Sequence, residues 1–79
     1  MQFWYGVIRN KFGKIRAKRV PETEAPTQEA FLVLMEYKPD TGDVVVELDF
    51  GNHMGHSEFM SYVSVYFQSS IRIKRFDVE

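Results

Sequence analysis

The chain has 79 residues, of which 44% are hydrophobic and 15% aromatic, and its net charge is −1. That composition supports one small hydrophobic core and argues against disorder, so we expect a single small domain over residues 1–79. The absence of cysteine excludes disulfides, thiolate metal sites and cysteine nucleophiles.

The first predicted element is a β-hairpin with strands over residues 3–9 and 14–20. Its loop, Asn10-Lys11-Phe12-Gly13, begins with a turn former and ends with glycine. A four-residue loop pairs Arg9 with Lys14 and places small apolar residues on the face that would receive a helix. The opposite face then combines aromatic and basic side chains: Phe3, Tyr5, Val7, Arg9, Lys14, Arg16, Lys18 and Val20.

Residues 21–28 contain two prolines and no apolar periodicity, which predicts a flexible linker between two hairpins. A helix beginning at Thr27 is the alternative. We favour a strand there, because Phe31 to Met35 would be apolar on every side of a helix.

The second predicted hairpin spans Glu29 to Phe50 around Pro39-Asp40-Thr41-Gly42. Pro39 suits the first turn position, and Gly42 suits a position with positive φ. This loop pairs Lys38 with Asp43, and a slip of one residue would bury acidic side chains. The register directs eight apolar side chains to one buried face: Phe31, Val33, Met35, Tyr37, Val44, Val46, Leu48 and Phe50.

The segment from Ser57 to Gln68 is predicted to be a helix with Ser57 or His56 at its N-cap. A strand is the alternative, because valine, tyrosine and phenylalanine dominate the segment. The helix prediction buries five side chains: Phe59, Met60, Val63, Tyr66 and Phe67. A last strand from Ile71 to Val78 completes a ββββαβ arrangement, an α+β fold with an antiparallel sheet and one helix packed on one face.

Residues that carry chemistry are sparse. His53, His56 and Glu58 have a spacing that suggests a metal, but a structural zinc site needs four ligands and a catalytic one needs three supported ligands. The five glycines are isolated, so no phosphate-binding loop is present. We therefore expect no metal, no cofactor and no enzymatic activity.

Charge is sorted along the chain. Residues 1–20 carry six basic and no acidic side chains, whereas residues 21–68 carry nine acidic side chains and Lys38 as the one base. If the two hairpins are neighbours, Arg16 and Lys18 pair with acids of the second hairpin, and the sorting needs no ligand. If they do not pair, the basic aromatic face is a candidate surface for single-stranded nucleic acid or for a charged protein. The candidate residues are Tyr5, Arg9, Lys11, Phe12, Lys14, Arg16, Lys18, Arg72 and Lys74.

Two features favour a protein partner. Phe12 is predicted at the tip of the first hairpin, where an aromatic ring has little to pack against in its own domain. Folding back onto Val7 or a neighbouring loop is the alternative. A second patch is predicted on the outer face of the second hairpin, where apolar residues ringed by charge resemble an interface core and rim. It comprises Leu32, Leu34, Val45, Glu36, Glu47 and Asp49, and the linker can equally cover it.

The profile of a short chain without cysteine, cofactor motif or catalytic set resembles the small accessory proteins of phages and mobile elements, anti-CRISPR proteins among them. That resemblance implies a non-enzymatic inhibitor that occupies a surface of a larger, nucleic-acid-handling complex in the host cytoplasm. A single-stranded RNA- or DNA-binding module is the alternative, and a homodimer through an exposed edge strand stays open. Without a signal peptide or an apolar run near the ~20 residues of a membrane span, we expect a cytoplasmic protein that does not bind membranes.

Overall fold

The fold consists of three strands and two helices. A computed structural model describes residues 1–68. The elements in chain order are β1 (Phe3–Arg9), β2 (Ile15–Pro21), α1 (Gln28–Leu34), a 3-10 turn (Pro39–Thr41), β3 (Val44–Gly51), α2 (His56–Val63) and a π-helical extension (Ser64–Gln68).

The strands form one antiparallel sheet in the order β2-β1-β3. This confirms an α+β protein with an antiparallel sheet. The ββββαβ arrangement is wrong for the part described, because residues 1–68 contain three strands and a helix on each face of the sheet. The predicted strand from Ile71 to Val78 lies outside the described residues.

The first hairpin is present, but its register differs by one residue from the prediction. Arg9 lies opposite Ile15, so the loop has five residues, and Gly13 adopts a φ of 84°. The cause is Asn10, whose Oδ1 accepts the N–H groups of Phe12 and Lys14 and so organises a wider turn. The shift changes which side chains share a face.

The second hairpin is wrong, because residues 28–34 form α1. The Thr27 hydroxyl accepts the N–H of Ala30 at 3.1 Å and caps the helix, as the alternative reading of this segment proposed. Lys38 and Asp43 do meet, but the Lys38 N–H donates to the Asp43 carboxylate at 3.0 Å instead of forming a strand pair. Gly42 has the predicted positive φ, 93°, at the end of the 3-10 turn.

Strand β3 pairs with β1, and a bulge at Val46 interrupts the pairing between Val7 and Ile8. The bulge divides the predicted apolar face between the two sides of the sheet. Leu48 packs on the α1 side and Val46 on the α2 side, while Val44 is 54% exposed. The prediction that Val44, Val46, Leu48 and Phe50 share one buried face is therefore wrong.

The sheet separates two cores. The α1 core comprises Ile8, Val20, Ala25, Phe31 and Met35, and the α2 core comprises Tyr5, Val7, Phe59 and Val63. Gly6 lets α1 approach β1 closely, because a Cβ there would lie 2.5 Å from Met35 Sδ and 2.6 Å from a ring carbon of Phe31.

The segment before α1 contacts the sheet at one residue. Ala25 is fully buried, and its carbonyl accepts the indole N–H of Trp4 at 2.9 Å. The residues on either side of it, 22–24 and 26–28, are exposed.

Helix α2 confirms the helix prediction for its first two turns, with Phe59 and Val63 buried as expected. Gly55 is the N-cap residue, and its N–H donates to Glu58 Oε1 at 3.0 Å. Tyr66, predicted to be buried, is 61% exposed in the π-helical extension. Among residues 1–68, no helix is long and apolar enough to cross a membrane.

Candidate partner-binding surface

The loop between β1 and β2, residues 10–14, carries the most exposed large apolar side chain of the described chain. Phe12 is 83% exposed, and Lys11 Nζ lies 5.3 Å from the centre of its ring. The placement of Phe12 at an exposed hairpin tip is as predicted from the sequence. It does not fold back onto Val7, which is fully buried in the α2 core.

The loop is held in one shape by its own hydrogen bonds and by a neighbour. The Asn10 N–H donates to the Lys14 carbonyl, and the Gly13 N–H donates to the Asn10 carbonyl, each at 2.9 Å. On one side the loop touches the 3-10 turn, where a Cβ on Gly42 would lie 2.8 Å from Lys11 Cβ. A tip ordered in this way loses less conformational entropy on binding than a flexible loop does.

A cleft of about 320 Å³ lies beside the tip, between the loop and the segment that follows α1. Its lining includes Phe12 together with basic and acidic side chains: Lys11, Phe12, Arg16, Glu36, Lys38 and Asp43. The exposed ring is therefore bordered on one side by a concave surface of polar and charged groups.

Most cations near the tip have no acidic partner. Within residues 1–68, the Arg16 guanidinium forms an ion pair with Asp43 at 3.2 Å, and His53 Nε2 lies 3.1 Å from the Asp49 carboxylate, a contact that is ionic only when the imidazole is protonated. Cross-strand pairing of Lys18 with Glu47 or Asp49 is ruled out, because β2 and β3 lie on opposite sides of β1. Within the described chain, five exposed cations make no ion pair: Arg9, Lys11, Lys14, Lys18 and Lys38.

Arg16 has a structural role. Its guanidinium donates to the carbonyls of Met35 and Glu36, at 3.2 and 3.1 Å, and to the Asp43 carboxylate. A cation bonded to the carbonyls of the C-cap residue and of the residue after it also complements the dipole of α1. The Lys38 N–H, with help from Arg16, holds the pKa of Asp43 below its ordinary value. Arg16, a predicted contact residue, therefore shares its charge with Asp43, although its side chain is still 41% exposed.

Tyr5 is not available to a ligand. Its side chain is fully buried, and its hydroxyl donates to the Met54 carbonyl at 2.7 Å and accepts the Met54 N–H at 3.2 Å. The register shift places it opposite Arg19, whose guanidinium stacks on Phe3 at 3.6 Å. The predicted basic aromatic face is wrong, because Arg16 and Lys18 share the α1 side of the sheet with Gly6 and not with Tyr5.

The second predicted patch is also dispersed. Leu32, Leu34 and Glu36 lie on or just after α1, and Val45 packs against the α1 core. Glu47 and Asp49 lie on the other face, where they contact Tyr62 and His53. The patch was predicted from the register of the second hairpin. Because that hairpin is absent, these residues do not form one surface. Arg72 and Lys74 lie outside the described residues.

The histidine-containing loop between β3 and α2, residues 52–55, is held by contacts with the sheet and with the start of α2. The His53 ring lies 4.6 Å from that of Tyr5 and pairs with Asp49, while Glu58 caps the helix. Among residues 1–68, no group of three or more potential ligands is arranged to hold a metal ion.

Sequence reasoning missed two features of this surface. Glu36 has a φ of 57°, a conformation for which the sequence gives no signal because glycine is the usual residue there. Leu34 lies beside β2 in a second, smaller cleft, which becomes visible only when α1 replaces the predicted strand.

Comparison with other proteins adds no identification. Neither the protein-family models nor the curated proteins nor the solved structures include one that matches this chain. Function must be argued from the residues above.

Proposed function

We propose that this protein is a small, non-enzymatic binding protein that inhibits a larger partner protein by occupying part of its surface. The observation that supports the proposal is Phe12, an 83% exposed aromatic ring on an ordered loop between unpaired cations. Interface energy concentrates in a few aromatic and arginine residues, and an aromatic anchor keeps its contact area at low entropic cost.

The charge around the anchor indicates an acidic partner. Arg9, Lys11 and Lys14 are exposed and unpaired within the described chain, so they favour encounter with a negatively charged surface. The partner class we favour is a nucleic-acid-handling complex, because the resemblance to phage accessory proteins implies a target of that kind.

Single-stranded nucleic acid is the second candidate, and the same unpaired cations are the observation in its favour. With Tyr5 buried, Phe12 is an exposed ring on which a base could stack, and Lys11 Nζ lies 5.3 Å from its centre. The two candidates therefore share an anchor and differ in the chemistry of the ligand.

The test is to truncate the anchor. We expect Phe12→Ala to leave the melting temperature unchanged and to weaken binding to the purified partner by about 2 kcal/mol or more. Val33→Ala is the matched control, because Val33 is 75% exposed on α1, away from the loop, and its truncation should alter neither quantity.

A second arm separates the two candidates. Binding to a thymidine oligonucleotide that falls with salt at a slope near −0.7 per contacted phosphate would favour nucleic acid over protein. If Phe12→Ala costs several kcal/mol of stability and no affinity, Phe12 is a packing residue and the proposal fails.

A further inference from the structure

We propose that the outer edge of β2 is a second docking site, which binds an extended acidic segment of another protein as an added fourth strand. The site differs from the loop tip in position and in mode of recognition. It stands whether or not Phe12 is an anchor.

The backbone of β2 supplies the hydrogen-bonding groups. The Asn10 N–H donates to Lys14, and the Glu22 N–H donates to Gln2, at the two ends of the hairpin. Hydrogen-bonded pairs alternate in an antiparallel ladder, so the residues between them that bond to β1 are Arg16, Lys18 and Val20.

The intervening residues, Ile15, Ala17 and Arg19, therefore direct their N–H and C=O groups away from β1. No strand of residues 1–68 pairs with that edge, because β2 is the first strand in the order β2-β1-β3. An added strand would satisfy these groups, as in other complexes in which a peptide extends a sheet.

A cleft beside this edge offers a side-chain pocket. It has a volume of about 140 Å³, lies between Ala17 of β2 and the end of α1, and has apolar walls from Leu34 and Met35. The volume is similar to the ~150 Å³ of an apolar cavity that holds benzene, so one branched aliphatic side chain fits. Arg16, Lys18 and Glu36 complete the lining.

The charges at the edge determine which kind of strand can bind there. Lys14 and Lys18 are exposed and unpaired within the described chain, whereas Arg16 shares its charge with Asp43. Pairing of β2 with β2 of a second copy would bring like charges together, which disfavours a symmetric dimer through this edge. A strand with an apolar residue for the cleft and acids two residues before and after it matches both pocket and charge.

The probe is an end-blocked peptide, Thr-Glu-Thr-Leu-Thr-Glu-Thr, and its control has lysine in place of both glutamates. At millimolar concentration, we expect the acidic peptide to shift the amide resonances of Ile15, Ala17 and Arg19. The lysine peptide should leave them unchanged.

Variants of β2 test the mode of binding. Lys18→Glu should weaken binding of the acidic peptide about fivefold. The matched control Lys38→Glu makes the same change in net charge away from the edge and should alter binding less than about twofold. Ala17→Pro removes an outward N–H without breaking a bond to β1, so it should abolish binding while the fold is kept.

The outcomes are distinct from those of the loop-tip proposal. Phe12→Ala should bind the peptide as the natural chain does, and loss of peptide binding in that variant would overturn the edge site. The edge site would also be overturned if the acidic peptide shifted no resonance of β2, or if the lysine peptide bound equally well. Shifts at the edge that depend on protein concentration alone would overturn it too. If Ala17→Pro does not fold, the peptide pair and Lys18→Glu decide the matter.

Discussion

Glu36 occupies a backbone position that glycine would fill with less strain. Its φ is 57°, and α1 ends there in a Schellman motif: the Glu36 N–H donates to Val33 at 3.0 Å, and the Tyr37 N–H donates to Leu32 at 3.1 Å. A side chain in this left-handed conformation costs about 1–2 kcal/mol. Strained residues of this kind are concentrated at functional sites, and Glu36 lines both clefts of the proposed surface.

We expect Glu36→Gly to raise the free energy of unfolding by about 1 kcal/mol, because the Cβ that causes the strain is removed. For a chain of this size, that corresponds to an increase in melting temperature of about 4–8 °C. Thermal or urea unfolding measures the change.

Glu36→Ala is the control for this prediction. It removes the carboxylate but keeps the Cβ, so it should give no such gain. Equal stabilisation by glycine and alanine would show that the charge of Glu36, and not its backbone conformation, is the unfavourable feature.

At the scale of the secondary-structure elements, the positions of the turns were predicted correctly, whereas the register of the first hairpin and the whole second hairpin were not. The positive φ of Gly13 and Gly42 follows from the turn sequence itself. The apolar run from Phe31 to Met35 favours a strand by its sequence, but α1 packs on the sheet with one face and exposes the apolar side chain of Val33 on the other. Tertiary packing decided the element, and periodicity over so few residues does not contain that information.

Helix α2 is tied to β3 by one short hydrogen bond. The Tyr62 hydroxyl donates to Glu47 Oε1 at 2.6 Å, and this bond to a carboxylate raises the pKa of Tyr62 to about 12. A raised pKa in the folded state means that the bond stabilises the fold fully below the ordinary pKa near 10. The stabilisation is lost as the pH rises towards 12.

We therefore expect Tyr62→Phe to lower the free energy of unfolding at neutral pH by about 1 kcal/mol. The difference between the variant and the natural chain should shrink between about pH 10 and 12, because the natural chain loses the same bond there. Urea unfolding at several pH values measures this difference. A difference that stays constant across that range would contradict the role of the hydroxyl proton.

At the scale of the molecule, both faces of the sheet are covered, so the surfaces left for recognition are its edges and loops. The sequence predicted an open sheet face with a basic aromatic surface. Helix α2 covers that face and buries Tyr5, and one extra loop residue moves Arg16 to the other face. Of the predicted contact residues, the loop cluster of Arg9, Lys11, Phe12 and Lys14 stays together and exposed. Those residues depend on the hairpin turn alone, which is why their placement was predictable.

Because β1 contributes to both cores, probes placed in each core can show whether the protein unfolds cooperatively. Trp4 is the sole tryptophan, and its ring stacks on Phe31 at 5.9 Å on the α1 side, whereas its neighbour Tyr5 belongs to the α2 core. Tryptophan fluorescence therefore senses one core, and amide hydrogen exchange at Phe59 and Val63 senses the other. Because a single strand serves both cores, the two signals should give the same free energy of unfolding. A lower value from either probe would mean that one helix detaches while the sheet stays folded.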